Sequence, residues 1–156
     1  MARFYGQKKG AEVGYGHKGK GTTIMLMVDG KGTSLSAFTT AATTSEVHDI
    51  ETLVDERVYD KSPQRLLYDK AADTDWLREA LDVRGIGLIY AHRQSRTKPA
   101  TQDGRALWRY IRSYKVERTI SWLHNFRRLI TRWEYYPDLF QSFAHIDRLY
   151  TIIKRF

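Results

Sequence analysis

The chain has 156 residues, of which 42% are hydrophobic and 28% are charged, and its formal net charge is +8. That length suits one domain with a buried core, and no apolar run is long enough to cross a bilayer, which argues against an integral membrane protein. Cysteine is absent, which excludes disulfides, thiol nucleophiles and thiolate metal sites and fits the reducing cytosol.

The first third of the sequence predicts an antiparallel hairpin. Gly6–Gly21 is rich in glycine and lysine and is predicted to form an exposed loop or hairpin. Thr22–Val28 is an apolar run typical of a strand, and Thr33–Thr40 is an alternating run rich in threonine. The Asp-Gly pair in Asp29–Gly32 is a strong turn signal between them. We also expect a short first strand near Arg3–Tyr5.

The middle third predicts a helix followed by two strands, Arg65–Tyr68 and Gly87–Ala91. Ser45 is predicted to cap this helix, because a hydroxyl can accept a hydrogen bond from the first turn. The apolar stripe of the helix is predicted to contain Val47, Ile50 and Val54, with Leu53 as a further candidate.

A second helix, Thr74–Val83, is predicted between the two strands, with Thr74 as its cap and Gly85 as its stop. Its inner face is expected to contain Trp76, Leu77, Ala80 and Leu81.

The remainder is predicted to be a polar loop, His92–Gly104, a long helix, Arg105–Trp133, interrupted near His124, and a last helix, Asp138–Arg155. Four aromatic residues are expected in the core rather than as base-stacking platforms: Trp108, Trp122, Phe126 and Trp133. The order of elements favours an α/β fold with a mixed sheet flanked by helices and a helical C-terminal part. It is also the order of an RNase H-like core with its first strand at the extreme N-terminus, near Arg3–Tyr5.

Two acidic residues stand out by their positions. Asp69 directly follows the predicted strand Arg65–Tyr68, and binding sites of open α/β sheets gather at the carboxyl ends of strands. Glu117 is expected in the middle of a helix, on a polar and uncrowded face that also contains Tyr110, Ser113, Ser121 and His124. From periodicity alone, an ordinary solvent-facing glutamate is the better explanation.

Four blocks, in order along nearly the whole chain, match known sequence motifs. Gly19–Gly32 is similar to the block GKGTK…VDGKG, and Leu67–Asp75 is similar to ADRGYDSD. Ile86–Asp103 is similar to HRRNRKKPPTQDG, and Lys115–Leu129 is similar to KVERTFAWLGNFRRL. Each block alone is weak, but four in series are specific. Through them the chain resembles DDE transposases of the insertion-sequence-five family.

The resemblance implies that residues 1–156 form a single RNase H-like catalytic domain that lacks the family's N-terminal DNA-binding segment. It implies that Asp69 is the second aspartate and Glu117 the glutamate of the DDE triad, both acting as catalytic residues and as ligands of Mg²⁺ or Mn²⁺. Such hard cations prefer carboxylate oxygens. Two ions about 3.5–4 Å apart would clamp the attacking and leaving oxygens of an in-line displacement at phosphorus. The implied reactions are DNA strand cleavage and strand transfer.

The sequence departs from the family at the first aspartate of the triad. Aligned through Lys8-Lys9-Gly10, that position falls on Met1 or just upstream, and no acidic residue precedes Glu12. We therefore expect this chain alone to be weak or inactive, as a truncated gene or the second reading frame of a frameshifted element would be. Asp29 could substitute, but aspartate is common in turns for turn chemistry alone, which is the interpretation we favour.

The family signature around the glutamate is matched only in part. Its spaced Tyr, Arg, Glu and Lys correspond here to Tyr110, Ser113, Glu117 and His124. Arg112 or Arg118 could supply the missing cation, and His124 could contact a phosphate.

The two ends of the chain are basic and the middle is acidic. Residues 1–31 hold six basic and two acidic residues, and residues 105–156 hold eleven and four, whereas residues 44–85 hold six and eleven. A well-solvated surface could explain this charge, but the family context favours contacts with the DNA backbone. Besides Arg112, Arg118 and His124, the candidate DNA contacts are Arg93, Arg96, Lys98, Arg127 and Arg128. Asp73 and Asp75 are better explained as carboxylates that favour the start of a helix.

Three interpretations of function follow. The first is a transposase core that acts on insertion-sequence ends and target DNA at the bacterial nucleoid, as a homo-oligomer or with an upstream-encoded transposase portion. The second is an inactive DNA-binding fragment or remnant that modulates an intact transposase. The third, an unrelated RNA-binding domain, would need an aromatic β-surface motif, and the sequence has none.

Overall fold

The strands of the chain form two sheets. The computed structural model describes residues 2–5, 10–16, 19–94, 97, 99, 102 and 104–154. The strands are β1 (Ala2–Tyr5), β2 (Gly14–Gly16), β3 (Gly19–Val28), β4 (Ser34–Ala41), β5 (Arg65–Tyr68) and β6 (Gly87–Tyr90). The helices are α1 (Ile50–Asp55), α2 (Asp75–Val83), α3 (Gly104–Tyr110), α4 (Tyr114–Leu123), α5 (Arg127–Ile130) and α6 (Pro137–Ile153), with 3-10 turns at Lys70–Ala72 and Ile111–Ser113.

The chain folds as two compact units. The first unit contains residues Met1–Val58 and Lys115–Phe156, and the second contains Tyr59–Tyr114. The single domain expected over residues 1–156 stays a prediction. The α/β class is confirmed, because strands of both orientations are present and the C-terminal part is helical. Within the described ranges, every helix is too short or too polar to span a membrane.

The first unit is built on β3, which pairs antiparallel with β1, β2 and β4. The predicted hairpin of β3 and β4 is confirmed, as is the short first strand. In the turn between them, the Oδ1 atom of Asp29 accepts hydrogen bonds from the backbone N–H groups of Lys31 and Thr33, each at 2.8 Å. The interpretation of Asp29 as a turn residue is therefore confirmed.

The two faces of this hairpin are covered by different helices. One face packs against α4, α5 and α6 in a cluster of Ile24, Leu26, Ala37, Ile120, Leu123, Leu129, Phe140 and Ala144. Side chains alternate along a strand, so Met25 and Met27 face the other way. On that side the Ser36 hydroxyl donates to the carbonyl of Leu53 in α1 at 2.6 Å. The β3–β4 hairpin is consequently covered on both faces.

A buried arginine joins distant parts of the first unit. Arg132 is 2% exposed and donates from Nη1 to the Thr22 hydroxyl at 2.6 Å. Its other donors reach the carbonyls of Ala11 at 3.0 Å, Glu134 at 3.0 Å and Tyr135 at 3.2 Å. Burial lowers the pKa of Arg132, while nearby Glu12 and Glu134 oppose that shift. An arginine stays protonated even so, and its forked donors can serve several acceptors at once.

The second unit contains a β-α-β arrangement. Strands β5 and β6 pair in parallel, with Arg65 opposite Gly87 and Tyr68 opposite Tyr90. Helix α2 connects them, buries Leu77 and Leu81, and ends before Gly85, which has a φ of 71°. Both strands and this helix are confirmed within one residue of the predicted bounds.

Two details of the predicted helices are wrong. The first helix begins at Ile50 rather than after Ser45, because the Ser45 carbonyl accepts from the N–H of His48 in a separate turn. The buried stripe is nevertheless confirmed, since Val47, Ile50 and Val54 are all buried. In α2, Trp76 is exposed, because the buried face follows Leu77 and Leu81, which are one turn apart.

The predicted long helix is broken twice. It becomes α3, a 3-10 turn, α4 and α5, and the second break lies at residues 124–126, as expected. There the backbone turns so that Phe126 and Leu129 pack against the core. Two of the four aromatic residues expected in the core are outside it: Trp108 is 76% exposed and Trp133 is 68% exposed. Trp122 and Phe126 are half-buried.

Candidate functional site

Asp69 lies directly after β5, at the carboxyl end of the parallel pair. Its backbone is extended, and its Oδ1 atom accepts a hydrogen bond from the N–H of Ala71 at 2.7 Å. Asp69 therefore caps the 3-10 turn Lys70–Ala72 while its side chain remains exposed to solvent. The predicted position at a strand end is confirmed, and the capping bond fixes one carboxylate oxygen.

A second set of hydrogen bonds surrounds the same turn. Arg93 donates from Nε to the Lys70 carbonyl at 3.0 Å and from Nη2 to the Ala71 carbonyl at 2.8 Å. The backbone N–H of Arg93 donates to Oδ2 of Asp73 at 2.9 Å. The guanidinium of Arg93 is thus bound within its own chain. As a DNA contact, Arg93 stays a prediction.

Asp73 and Asp75 differ in their surroundings. Asp75 is in the first turn of α2 and pairs with Arg78 at 3.4 Å, as expected for a carboxylate at a helix start. Asp73 lies outside the helix, its side chain is 2% exposed, and Nδ1 of His92 is 3.7 Å from its Oδ2 atom. The helix-start interpretation is therefore incomplete for Asp73, which contacts the loop after β6.

Glu117 is in the first turn of α4, rather than in the middle of a long helix, because the preceding 3-10 turn delays the start of α4. Its side chain is exposed, and its carbonyl accepts from the Ser121 hydroxyl at 2.9 Å. The opposite face of α4 buries Thr119, Ile120 and Leu123. The carboxylate of Glu117 therefore faces solvent from a helix that the core holds in place.

The turn between β3 and β4 also anchors α4. Successive carbonyls of residues 30, 31 and 32 accept from Lys115 Nζ, from Arg118 Nη2 at 3.2 Å and from the Thr119 hydroxyl at 2.8 Å. Gly32 has a φ of 86°, and a Cβ atom there would lie 3.2 Å from Nη2 of Arg118. The glycine-rich motif thus allows a close contact with the helix that carries Glu117.

The remaining predicted DNA contacts have different surroundings. Arg118 also stacks on Trp122, with its Cζ atom 5.2 Å from the ring centroid. Arg128 forms an ion pair with Glu134 at 2.8 Å. Arg127 and His124 are exposed. Three predicted side chains lie outside what the structure describes: Arg96, Lys98 and Arg112.

Asp69 and Glu117 both have exposed carboxylate oxygens, which are the ligand type that hard divalent cations prefer. They belong to different compact units, and each is described within its own unit. Across the described part of the chain, no group of three or more Asp, Glu or His side chains is arranged to hold a metal. The described side chains thus offer two candidate ligands and not a complete cluster.

Comparison with known proteins identifies the family. A family model described as Transposase DDE domain matches residues 2–146. A Burkholderia cepacia protein named as a transposase for insertion sequence element IS402 is 32% identical over 134 residues, which cover 81% of this chain and 60% of that protein. No solved structure gives a significant match. Domains of the matched family use divalent metal ions and act on DNA. The chain belongs to the DDE transposase family.

Proposed function

We propose that this chain is the catalytic-core part of a bacterial insertion-sequence transposase of the insertion-sequence-five family, which cleaves and joins DNA strands with Mg²⁺ or Mn²⁺. The observation that carries the proposal is the pair Asp69 and Glu117. Both lie in blocks that match the family, and both are exposed. Asp69 follows β5 and accepts a hydrogen bond from the N–H of Ala71, whereas Glu117 belongs to α4, which is bound to the β3–β4 turn through Thr119.

The reaction is an in-line displacement at phosphorus. A water or 3′-hydroxyl oxygen forms a new P–O bond while the bridging P–O bond breaks, and the leaving oxygen takes up a proton. Asp69 and Glu117 would hold the divalent ion, which when bound would activate the nucleophile and stabilise charge on the phosphate. The capping bond to Ala71 restricts rotation of the Asp69 carboxylate, and the buried face of α4 fixes the direction of Glu117.

Binding to the DNA backbone is proposed for the basic side chains named from the sequence other than Arg93, whose guanidinium binds the turn Lys70–Ala72. Arg127 supports this role most directly, because its guanidinium is exposed and has no ion-pair partner within the described residues. Such contacts release counterions from DNA, so affinity should fall steeply with salt. The DNA partners are insertion-sequence ends and target DNA, which places the protein at the bacterial nucleoid in the cytoplasm.

We also propose that the chain associates with a second copy or with an upstream-encoded transposase portion. The support is the outer face of α6, which exposes apolar side chains at seven-residue spacing: Leu139, Ile146 and Ile153. Exposed apolar patches on helices are typical of protein contacts. Light scattering of the chain, compared with an Ile146→Glu variant, would show a larger mass only for the unaltered chain.

The test of function is cleavage and joining of duplex DNA that carries the ends of the encoding element, with Mg²⁺ or Mn²⁺ added. Metal-dependent products should form with the chain, or more strongly with a version extended upstream. The products should be lost in Asp69→Asn and Glu117→Gln but kept in Asp82→Asn, which alters an exposed aspartate in α2. DNA binding without any metal-dependent product would support the inactive-fragment interpretation instead.

A further inference from the structure

The loop that presents Asp69 is short and is held from outside. The chain leaves β5 at Tyr68, makes the 3-10 turn Lys70–Ala72 and enters α2 at Asp75. A turn of three residues has few internal hydrogen bonds and little stability of its own. Arg93 adds two hydrogen bonds from outside the turn, because its guanidinium donates to the carbonyls of both Lys70 and Ala71.

The contact is reciprocal, which makes it specific. While the side chain of Arg93 binds the turn, its backbone N–H donates to the buried carboxylate of Asp73 at 2.9 Å. Strands β5 and β6 end side by side, with Tyr68 opposite Tyr90, so the segments that follow them meet. The ring of His92 packs edge-on against buried Tyr90 at 5.4 Å between centroids, which fixes the start of the second segment.

The orientation of Asp69 depends on this turn. Its Oδ1 atom accepts from the N–H of Ala71, the same residue whose carbonyl accepts from Arg93. Hydrogen bonds from a charged guanidinium are stronger than neutral ones, and its planar fork suits two acceptors. Replacing a residue that hydrogen-bonds and orients a metal ligand typically lowers metal affinity or activity about 10–100-fold.

We propose that Arg93, together with Asp73, is a positioning residue that holds the Asp69 loop in the shape that presents the carboxylate, rather than a contact to DNA. The inference rests on the proposed function only in treating Asp69 as a metal ligand. Two of the five N–H donors of Arg93 are already used on Lys70 and Ala71, so a DNA phosphate could bind the edge formed by Nε and Nη2 only by displacing those carbonyls.

The test combines three measurements on Arg93→Ala and Arg93→Lys: amide exchange at Ala71 by NMR, Mn²⁺ binding by calorimetry, and binding of a fluorescent DNA duplex at several salt concentrations. In Arg93→Ala, protection of the Ala71 amide should fall about tenfold, and Mn²⁺ affinity should fall with it. DNA affinity should stay within about twofold, and its salt slope should not change. Asp73→Ala should lower the same protection.

Two controls separate the roles. Arg109→Ala removes an exposed arginine from the same unit and should leave the Ala71 amide unchanged. Arg93→Lys keeps the charge but not the fork, so it should restore little protection, whereas a lysine would rescue a simple phosphate contact. Loss of DNA affinity in Arg93→Ala, with a smaller salt slope and unchanged exchange at Ala71, would overturn the proposal.

The outcomes also separate this inference from the proposed function. If Asp69→Asn weakens Mn²⁺ binding and Arg93→Ala does not, Asp69 is a ligand and the positioning role is refuted. If Arg93→Ala lowers Ala71 protection while neither variant changes Mn²⁺ binding, Arg93 holds the loop and the ligand role of Asp69 is wrong.

Discussion

Replacing Arg132 by alanine should lower the free energy of unfolding by about 3 kcal/mol. Arg132 is 2% exposed and binds one hydroxyl and three carbonyls. Thr22 is fully buried, and its hydroxyl would keep its bond to the Glu12 carbonyl but lose its charged donor, a loss that costs about 1.5–3 kcal/mol.

The remaining terms are smaller but add to the loss. The carbonyls of Ala11, Glu134 and Tyr135 belong to exposed or half-buried residues, so water can replace part of the guanidinium's role. Each lost bond then costs about 0.5–1 kcal/mol. The guanidinium of Arg132 also lies over the ring of Phe140, with Cζ 5.3 Å from the ring centroid, and removing this buried side chain would leave a cavity.

Urea unfolding followed by circular dichroism measures the change. Arg127→Ala is the matched control, because Arg127 is an exposed arginine five residues away and its loss should cost less than about 0.5 kcal/mol. Arg132→Lys should fall between, since one ammonium cannot reach all four acceptors. If Arg132→Ala unfolds at the same urea concentration as Arg127→Ala, the buried network does not stabilise the fold.

Two further changes test the turn and the last helix. Gly32→Ala should lower the free energy of unfolding by about 1–2 kcal/mol, because Gly32 has a φ of 86° and a Cβ atom there would crowd Arg118. Gly30→Ala is the control and should be nearly neutral in the same unfolding assay, because the space around its Cβ is open. Equal effects of the two changes would refute the argument. Burial raises the pKa of the Asp147 carboxyl, so its charged form destabilises the fold and stability falls as pH rises above the ordinary aspartate range. Asp147→Asn should therefore be more stable than the unaltered chain at pH 7 and should lose that advantage near pH 3. Asp82→Asn, which alters an exposed aspartate, should show no such pH dependence. A gain in stability from Asp147→Asn that does not depend on pH would contradict the raised pKa of Asp147.

The local parts of the fold could be predicted from the sequence. Strands β3 and β4 follow from alternation and from the Asp29 turn, whose hydrogen bonds join residues only two and four positions apart. Strand β5 and helix α2 follow from an apolar run and a helical stripe with glycine at the end. These elements are determined by residues that are close in sequence, so the sequence pattern alone is enough to predict them.

The non-local parts could not be predicted. Arg132 binds Thr22 across 110 positions, and Arg93 binds the Asp69 loop across more than 20, yet both look in sequence like any other arginine. Trp108 and Trp133 are predicted to lie in the core because large aromatic side chains usually do, yet both are exposed, and periodicity in the sequence does not show which face of a helix is covered. The positions of Asp69 and Glu117 were predicted from family motifs, since periodicity alone favoured an ordinary glutamate.

The central proposal is that Asp69 and Glu117 both act as ligands of a divalent metal ion. Mn²⁺ binding, measured by electron paramagnetic resonance, tests this with Asp69→Asn, Glu117→Gln and the double variant. Each single variant should weaken Mn²⁺ binding about tenfold or more, and the double variant should bind Mn²⁺ no more tightly than the weaker single variant. Unchanged Mn²⁺ affinity in both single variants, or an equal loss in Asp82→Asn, would contradict the claim.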